Sequence, residues 1–146
     1  MNIHKLLQLD FLPRSVDVGL IVLRLWLGVS LLVLHGWSKL TSFSETASKF
    51  PDPLGVGSSV SLALTIFAEV GCAVLIVVGL FTRAAALVQV ILMGVAFFIV
   101  KKASLASGPG SGELAFIYLA GFVTLFLAGA GRFSFDATMG GKKPAK

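Results

Sequence analysis

Residues 18–40 read VGLIVLRLWLGVSLLVLHGWSKL, and this stretch decides the fold class. It is long enough to cross a bilayer as a helix, because a crossing needs about 20 mostly apolar residues. Three more blocks of this kind follow, at residues 60–80, 83–100 and 113–130. The pattern predicts an all-α protein, an integral membrane four-helix bundle, whose spans are numbered one to four along the chain.

The composition supports a membrane protein with almost no soluble part. Hydrophobic residues make up 56% of the chain and charged residues 13%, whereas soluble domains average about 25% charged residues. The mean hydropathy is +0.94. The net charge of +5 does not indicate nucleic acid, because the basic residues flank the apolar blocks, where they set topology. We therefore expect the lipid bilayer as a partner and no nucleic acid.

The chain divides into one membrane domain and two tails. We predict a cytoplasmic N-tail over residues 1–17, the four-helix transmembrane domain over residues 18–131 and a cytoplasmic C-tail over residues 132–146. Residues 81–83 leave room only for a tight turn, so spans two and three should be antiparallel neighbours.

The loop between spans one and two predicts a short helix at the membrane interface. Ser42 and Glu45 have the spacing of a capping box, in which each side chain satisfies a backbone N–H at the helix start. Two prolines, Pro51 and Pro53, should end the helix. Its apolar face would consist of Phe43, Ala47 and Phe50.

Basic residues predict the orientation. Four crossings place both tails and the loop after span two on one side, which carries seven basic residues, and the other loops carry four. The seven are Lys5, Arg14, Arg83, Arg132, Lys142, Lys143 and Lys146, and the four are Lys39, Lys49, Lys101 and Lys102. By the positive-inside rule both termini are cytoplasmic, in a multi-pass protein of the inner or plasma membrane.

Two charged residues lie well inside predicted spans, Arg24 in span one and Glu69 in span two. A charge at the centre of a transmembrane helix costs about 2.5–3.5 kcal/mol on insertion scales, so it normally has a partner. The two residues would be separated along the membrane normal by about 7 Å, which an arginine side chain can bridge. The predicted pair would either only join two helices or also contact a ligand or conduct protons.

Span one carries a polar stripe on one helical face. Arg24, Gly28, His35 and Lys39 fall within about 60° of one another at 100° per residue. Gly28 would let a neighbouring backbone or a flat ligand approach closely. His35 and Lys39 should lie near Glu113 at the outer ends of their spans, either as one polar cluster or as separate residues that reach to water.

Several chemistries are excluded by the residues available in one chain. The single cysteine cannot form an internal disulfide. The two histidines, His4 and His35, should lie on opposite sides of the membrane, so we expect no metal or haem site. Phosphate-binding, dinucleotide-binding and hydrolytic motifs are absent from the sequence.

Four motifs, in order along residues 18–137, resemble those of the DoxX family. They are Arg24-x3-Gly28 with His35-Gly36-x2-Lys39-Leu40; Glu69-x-Gly71 with Gly79-Leu-x-Thr82-Arg83; Glu113-Leu-x3-Tyr118-Leu; and Gly129-x-Gly131-Arg132-Phe133-Ser134-x-Asp136. The resemblance implies a four-helix membrane protein of bacterial or archaeal type. The family includes the small subunit of thiosulfate:quinone oxidoreductase and members associated with oxidative stress, thiols or quinone-type compounds.

The resemblance favours one function over two others. The first hypothesis is a membrane subunit of a redox complex, linked to quinones or thiols, which works with a larger redox protein or as a homo-oligomer. We expect no covalently bound cofactor, and a quinone is the candidate ligand. The alternatives are a structural or assembly subunit without a ligand and a small transporter, although the sequence has no inverted repeat.

The first hypothesis predicts a partly apolar pocket between spans one, two and four, in the outer half of the bundle. The pocket should be of quinone size, and His35 is suited to exchange protons near neutral pH. The candidate ligand-binding residues are Arg24, Gly28, His35, Lys39, Glu69 and Glu113.

Overall fold

The computed structural model describes residue 7, residues 15–106 and residues 108–140, and this part of the chain is helical without strands. Its helices are α1 (Val16–Thr41), α2 (Phe43–Thr46), α3 (Ser58–Val78), α4 (Thr82–Val100), α5 (Glu113–Ala128) and α6 (Phe135–Met139). Helices α1, α3 and α4 are long and apolar enough to cross a membrane, and α5 is a shorter apolar helix. The predicted fold class, a helical membrane bundle, is confirmed.

The four apolar helices α1, α3, α4 and α5 form a ring in which each contacts two neighbours. Helix α3 packs against α1 and α4, and α5 packs against the same two helices from the other side. The tight turn at Gly79–Phe81 joins α3 to α4, so the predicted antiparallel pair is confirmed. We call the end with this turn and α6 the turn end, and the end with residues 42–57 and 101–112 the loop end. Leu27, Leu31, Ile76, Phe122 and Leu125 form the buried core.

Two glycines bring α1 and α3 into close contact. A Cβ atom added at Gly28 would lie 2.6 Å from Cγ2 of Val77, and one at Gly36 would lie 2.8 Å from the carbonyl oxygen of Glu69. Small residues at helix interfaces let backbones approach in lipid, where helix association depends on packing. Gly28 of the predicted stripe, and Gly36 outside it, therefore face the backbone of α3.

Three of the spanning helices contain a π-helical segment that the sequence pattern did not predict. These segments are Leu32–Gly36 in α1, Phe67–Cys72 in α3 and Val95–Val100 in α4. A π segment replaces the i→i+4 hydrogen bonds with i→i+5 bonds, and such segments occur often at functional sites. Each π segment rotates the residues after it about the helix axis, so these residues lie on a different face from the one that a regular α-helix would give them.

The short helix between spans one and two is present, but it is shorter than predicted. Helix α2 ends at Thr46, before the prolines. The predicted capping box is wrong, because the Ser42 hydroxyl donates to the carbonyl oxygen of Ser38 at 2.7 Å and caps no N–H of α2. A serine hydroxyl can donate to the carbonyl oxygen of the residue one helical turn before it. For Ser42 that carbonyl oxygen belongs to Ser38, in the last turn of α1.

The C-terminal segment folds back and caps helix α4. The Asp136 carboxylate accepts hydrogen bonds from the backbone N–H groups of Phe81, at 2.7 Å, and Thr82, at 2.9 Å. The N–H of Asp136 donates to the carbonyl oxygen of Gly79 at 2.9 Å. A carboxylate at a helix start satisfies free N–H groups and the positive end of the helix dipole. The closing motif of the sequence therefore fixes the turn end.

Arg24 lies at the centre of the turn end, with 1% of its surface exposed. Its Nη2 donates to the carbonyl oxygen of Phe133 at 2.5 Å, and its Nη1 donates to that of Ile76 at 3.5 Å. Ile76 is among the last residues of α3, whose carbonyl groups lack partners within the helix and carry partial negative charge. Arg24 thus links α1 to α3 and to the C-terminal segment.

The predicted Arg24–Glu69 pair is wrong. Glu69 precedes Ile76 by about 10 Å along α3, at 1.5 Å per residue, and it pairs with Lys39 instead. The arginine side chain reaches toward the nearer end of the bundle, where backbone carbonyl oxygens accept its hydrogen bonds. Long basic side chains reach in this way toward the nearer end of a transmembrane helix.

Replacing Arg24 tests its role as the link at the turn end. We expect Arg24→Leu to lower the free energy of unfolding by about 1.5–3 kcal/mol, the usual contribution of hydrogen bonds to a charged group. Thermal unfolding of the detergent-solubilised protein measures the loss. Adding Glu69→Leu should give an additive loss, because the two sites share no contact. Recovery of stability in the double variant would instead show that the two charges are paired. Arg83→Met, at an exposed arginine of the same end, is the matched control and should lose less.

Candidate functional site

A cleft with a volume of about 740 Å³ lies in the loop-end half of the bundle. Its walls come from α1, α3, α4 and α5, so α4 contributes in addition to the three helices that were predicted. Most of the lining is aliphatic or aromatic. The polar side chains in the lining belong to His35, Lys39, Ser61, Thr65, Glu69, Lys101, Ser111 and Tyr118.

An ion pair between Lys39 and Glu69 lies in the wall of the cleft. The Lys39 Nζ is 2.5 Å from the Glu69 Oε2. The Lys39 side chain is 25% exposed and the Glu69 side chain is 9% exposed, so the carboxylate is mostly buried. Glu69 belongs to the π segment of α3, and Gly36 of α1 contacts its backbone. The pair cancels both charges and joins α1 to α3 at this level.

A second polar group lies on the opposite wall, between α1 and α5. The Tyr118 hydroxyl and the Ser30 Oγ are 2.8 Å apart and share a hydrogen bond. The Tyr118 ring meets the His35 ring edge to face, with centroids 6.1 Å apart, and it stacks on Phe122. Tyr118 is 7% exposed and lines the cleft together with His35. The cleft therefore holds a phenol hydroxyl, an imidazole, an ammonium group and a carboxylate among apolar walls.

Gln89 of α4 supports the wall from behind. Its Nε2 donates to the carbonyl oxygen of Ala68 at 2.6 Å, and the residue is fully buried. The Ala68 carbonyl oxygen also accepts the i→i+5 bond from the N–H of Ala73, which closes the π segment. Within the part of the chain that the structure describes, the Gln89 Oε1 has no hydrogen-bond partner. Gln89 holds the segment that carries Glu69.

The loop after α2 borders the cleft at the loop end. Phe50, Pro51, Pro53 and Leu54 line the cleft there. Asp52 fixes this loop, because its carboxylate accepts hydrogen bonds from the Ser61 hydroxyl and from the N–H groups of Val56 and Gly57. These bonds, that of Ser61 first, hold the pKa of the Asp52 carboxyl below its usual value. The carboxylate is therefore charged, and the loop held, at neutral pH.

The structure brings together three of the six predicted candidates. His35, Lys39 and Glu69 line the cleft, whereas Arg24, Gly28 and Glu113 are not among its lining residues. Arg24 lies at the turn end, and Gly28 contacts the backbone of α3. Glu113 is exposed at the start of α5. The predicted cluster of His35, Lys39 and Glu113 does not form, because Lys39 turns to Glu69.

Sequence reasoning missed Tyr118, Ser30 and Gln89. Tyr118 stands in an apolar block with phenylalanines, a setting that is typical of a packing or lipid-facing residue. The signal is its hydroxyl group, since a buried tyrosine usually needs a hydrogen-bond partner. Gln89 is a polar residue within a span, yet nothing in the sequence identifies a backbone carbonyl oxygen as its partner.

Comparison with known proteins gives one match. A sequence model of the DoxX family matches residues 19–102, which is more than half of the chain. Searches of curated proteins and of solved structures return no match. The matched region includes α1, α3, α4 and the Lys39–Glu69 pair.

The ion pair can be tested by a double-mutant cycle. We expect Lys39→Met to reduce the free energy of unfolding by about 1–3 kcal/mol, between the values for exposed and buried pairs, because it leaves a largely buried carboxylate unpaired. Adding Glu69→Gln should restore part of the loss, and thermal unfolding in detergent measures both changes. Lys49→Met, at an exposed lysine of the loop, is the control and should unfold like the wild type. The Glu69→Gln single variant completes the cycle, and a double variant whose loss equals the sum of the two single losses would mean that the two charges are uncoupled.

Proposed function

The chain belongs to the DoxX family, and from this premise we propose that it is the membrane subunit of a redox system and binds a quinone head group in the loop-end cleft. The observation that carries the proposal is the make-up of the cleft. Polar side chains of Lys39, Glu69, His35 and Tyr118 converge on an otherwise apolar cavity. Small-molecule sites have this character, and their volumes are about 300–1,000 Å³.

The polar groups match what a quinone head requires. Each quinone carbonyl oxygen accepts a hydrogen bond, and the ammonium group of Lys39 and the hydroxyl of Tyr118 are donors in the lining of the cleft. The Tyr118 O–H would exchange its bond to Ser30 for one to the quinone, because the Ser30 hydroxyl donates to the carbonyl oxygen of Trp26 at 2.6 Å. The ring of the head is flat and apolar, which suits the aromatic and aliphatic side chains between these donors. A neutral molecule also suits a wall in which the charges of Lys39 and Glu69 already cancel.

Proton transfer is the part of the reaction that this chain's residues can serve. Reduction of a quinone to a quinol takes up two electrons and two protons. An imidazole can both donate and accept a proton, so His35 can pass a proton to a carbonyl oxygen within reach. The electrons would come from a larger redox partner, since the sequence contains no cofactor-binding motif.

The rest of the bundle favours binding over transport. Toward the turn end the space between the helices is filled by the buried side chains of Leu27, Ile76, Phe122 and Leu125. Beyond them Arg24 and the C-terminal segment close the bundle. A transporter needs access to its site from both sides in turn, and nothing in this packing favours a second opening.

The proposal includes an orientation, in which the loop end faces away from the cytoplasm. The basic residues of the tails and of the turn at Arg83 support it, since the positive-inside rule places them in the cytoplasm. A phosphatase fused after residue 146, which is active only outside the cytoplasm, should remain inactive. The same enzyme inserted after Gly110, in the loop between α4 and α5, should be active. The reverse result would overturn the orientation.

Quinone binding is the direct test of the proposed function. The protein in lipid nanodiscs should bind a quinone saturably, measured by quenching of its tryptophan fluorescence at quinone concentrations expressed per lipid. We expect Tyr118→Phe to weaken binding about fivefold to tenfold, the effect of one lost hydrogen bond. Thr124→Val is the matched control, because it removes an exposed hydroxyl group from the same helix.

A purely structural role predicts a different outcome. The Ser30–Tyr118 hydrogen bond would then matter for helix packing alone, so Ser30→Ala and Tyr118→Phe would lower thermal stability equally and leave quinone quenching unchanged. Absence of saturable quenching in the wild-type protein would reject quinone binding and favour a structural or assembly subunit.

A further inference from the structure

The cleft has an apolar opening on the side of the bundle between α3 and α4. Among the large apolar residues that the helices contribute to the lining, Leu64 (54%) and Phe67 (57%) on α3 and Ile91 (58%) on α4 are the most exposed on the outside. Leu114 (50%) and Val100 (40%), where α5 begins and α4 ends, and Leu54 (56%) in the loop are also exposed, and they belong to the rim at the loop end. The lining residues of α1 differ, since Leu31 is 1% exposed. A residue that both lines a cavity and lies on the outer surface marks its rim. We call the surface formed by Leu64, Phe67 and Ile91 the side opening.

The packing of α3 explains why the opening lies there. From the turn end to about the middle of the helices, α3 and α4 stay in contact through the tight turn and the bond from Gln89 to Ala68. The first half of α3 is Ser58–Ile66. Apart from contacts within α3 itself, this segment mainly contacts Trp37–Thr41 of α1 rather than α4. Helix α3 therefore leans toward α1 at the loop end and separates from α4.

The side opening lies at the depth of the bilayer. Its three residues belong to helices that are long and apolar enough to span a membrane. At the loop end, by contrast, Phe50, Pro51, Pro53 and Leu54 border the cleft, and Asp52 ties that loop to Ser61. A ligand that enters through the side opening comes from lipid and not from water.

We infer that the ligand of this cleft carries a hydrocarbon tail, and that the tail leaves between α3 and α4 into the bilayer. The inference rests on the proposed function and specifies its ligand as a quinone with a lipid-soluble tail. The head lies beside Lys39, Glu69 and Tyr118. The tail follows the side opening, where Leu64 lies only about 7 Å along α3 from Glu69, at 1.5 Å per residue. The apolar rim then contacts the tail, and the polar groups hydrogen-bond to the head.

Bulky substitutions in the side opening test binding of the tail separately from binding of the head. In nanodiscs, Ile91→Trp should weaken binding of a quinone with a decyl tail about tenfold, because the indole occupies the path of the tail. Binding of the same quinone head without the tail should change less than about twofold, because the head lies deeper in the cleft. Leu64→Trp, on the facing helix, should reproduce the effect if Ile91→Trp folds poorly.

A tryptophan introduced outside the cleft is the matched control for these variants. Leu87→Trp places an indole on the lipid-exposed surface of α4 outside the cleft lining and should bind both quinones like the wild type. If the tailed and tail-free quinones respond alike to Ile91→Trp and Leu64→Trp, the exit path is wrong while the proposed quinone site stands. If the wild type binds the tail-free head but no tailed quinone, the inference is also overturned. Retention of a phospholipid that the decyl quinone does not displace would assign the opening to a lipid chain and reject the inference.

Discussion

One buried charge constrains the turn end of this bundle. Arg24 needs hydrogen-bond acceptors inside the bundle, because lipid supplies none for a buried guanidinium group. Its two terminal nitrogens find them, while the Nε has no partner among the described residues. The acceptors are carbonyl oxygens, one of Ile76 at the end of α3 and one of Phe133 in the C-terminal segment. The segment must therefore fold back onto the bundle. At Gly79, φ is +75°, and a Cβ atom would collide with the guanidinium group, so the residue that ends α3 has to be glycine.

Because the helices are fixed at the turn end, they can stand apart at the loop end and leave the cleft open there. Arg24, the Asp136 cap and the tight turn between α3 and α4 fix how the helices emerge from one end. The helices can then separate toward the other end without loss of the bundle. Each of the three π segments contributes residues to the cleft or supports its wall. Segments with less favourable hydrogen-bond geometry are tolerated where they shape a site, and the rest of the fold compensates for their cost.

The sequence predicted the spans well because lipid imposes a simple rule. Each crossing needs an apolar run of a given length, and the observed helices begin and end within about two residues of the predicted ones, as at Val16 and Thr41 against 18 and 40. Side-chain partners were harder to predict. The partners of Arg24 and Gln89 are backbone carbonyl oxygens, which every residue has and no sequence pattern marks. Regular helical geometry also fails at Glu69, which lies within the π segment Phe67–Cys72, so a count at 100° per residue gives the wrong face.

The ion pair limits the charge that the proposed site presents to a ligand. An unpaired lysine would attract anions, and an unpaired carboxylate would attract cations. With both charges joined at 2.5 Å, this wall adds little net charge, and Lys101 contributes a further positive charge to the lining. Separating the pair would leave one partner unpaired at low dielectric, which costs several kcal/mol. A carbonyl oxygen can accept a hydrogen bond from Lys39 while Glu69 stays paired, because an ammonium group has three donors. A quinone bound as we propose would therefore leave the ion pair intact.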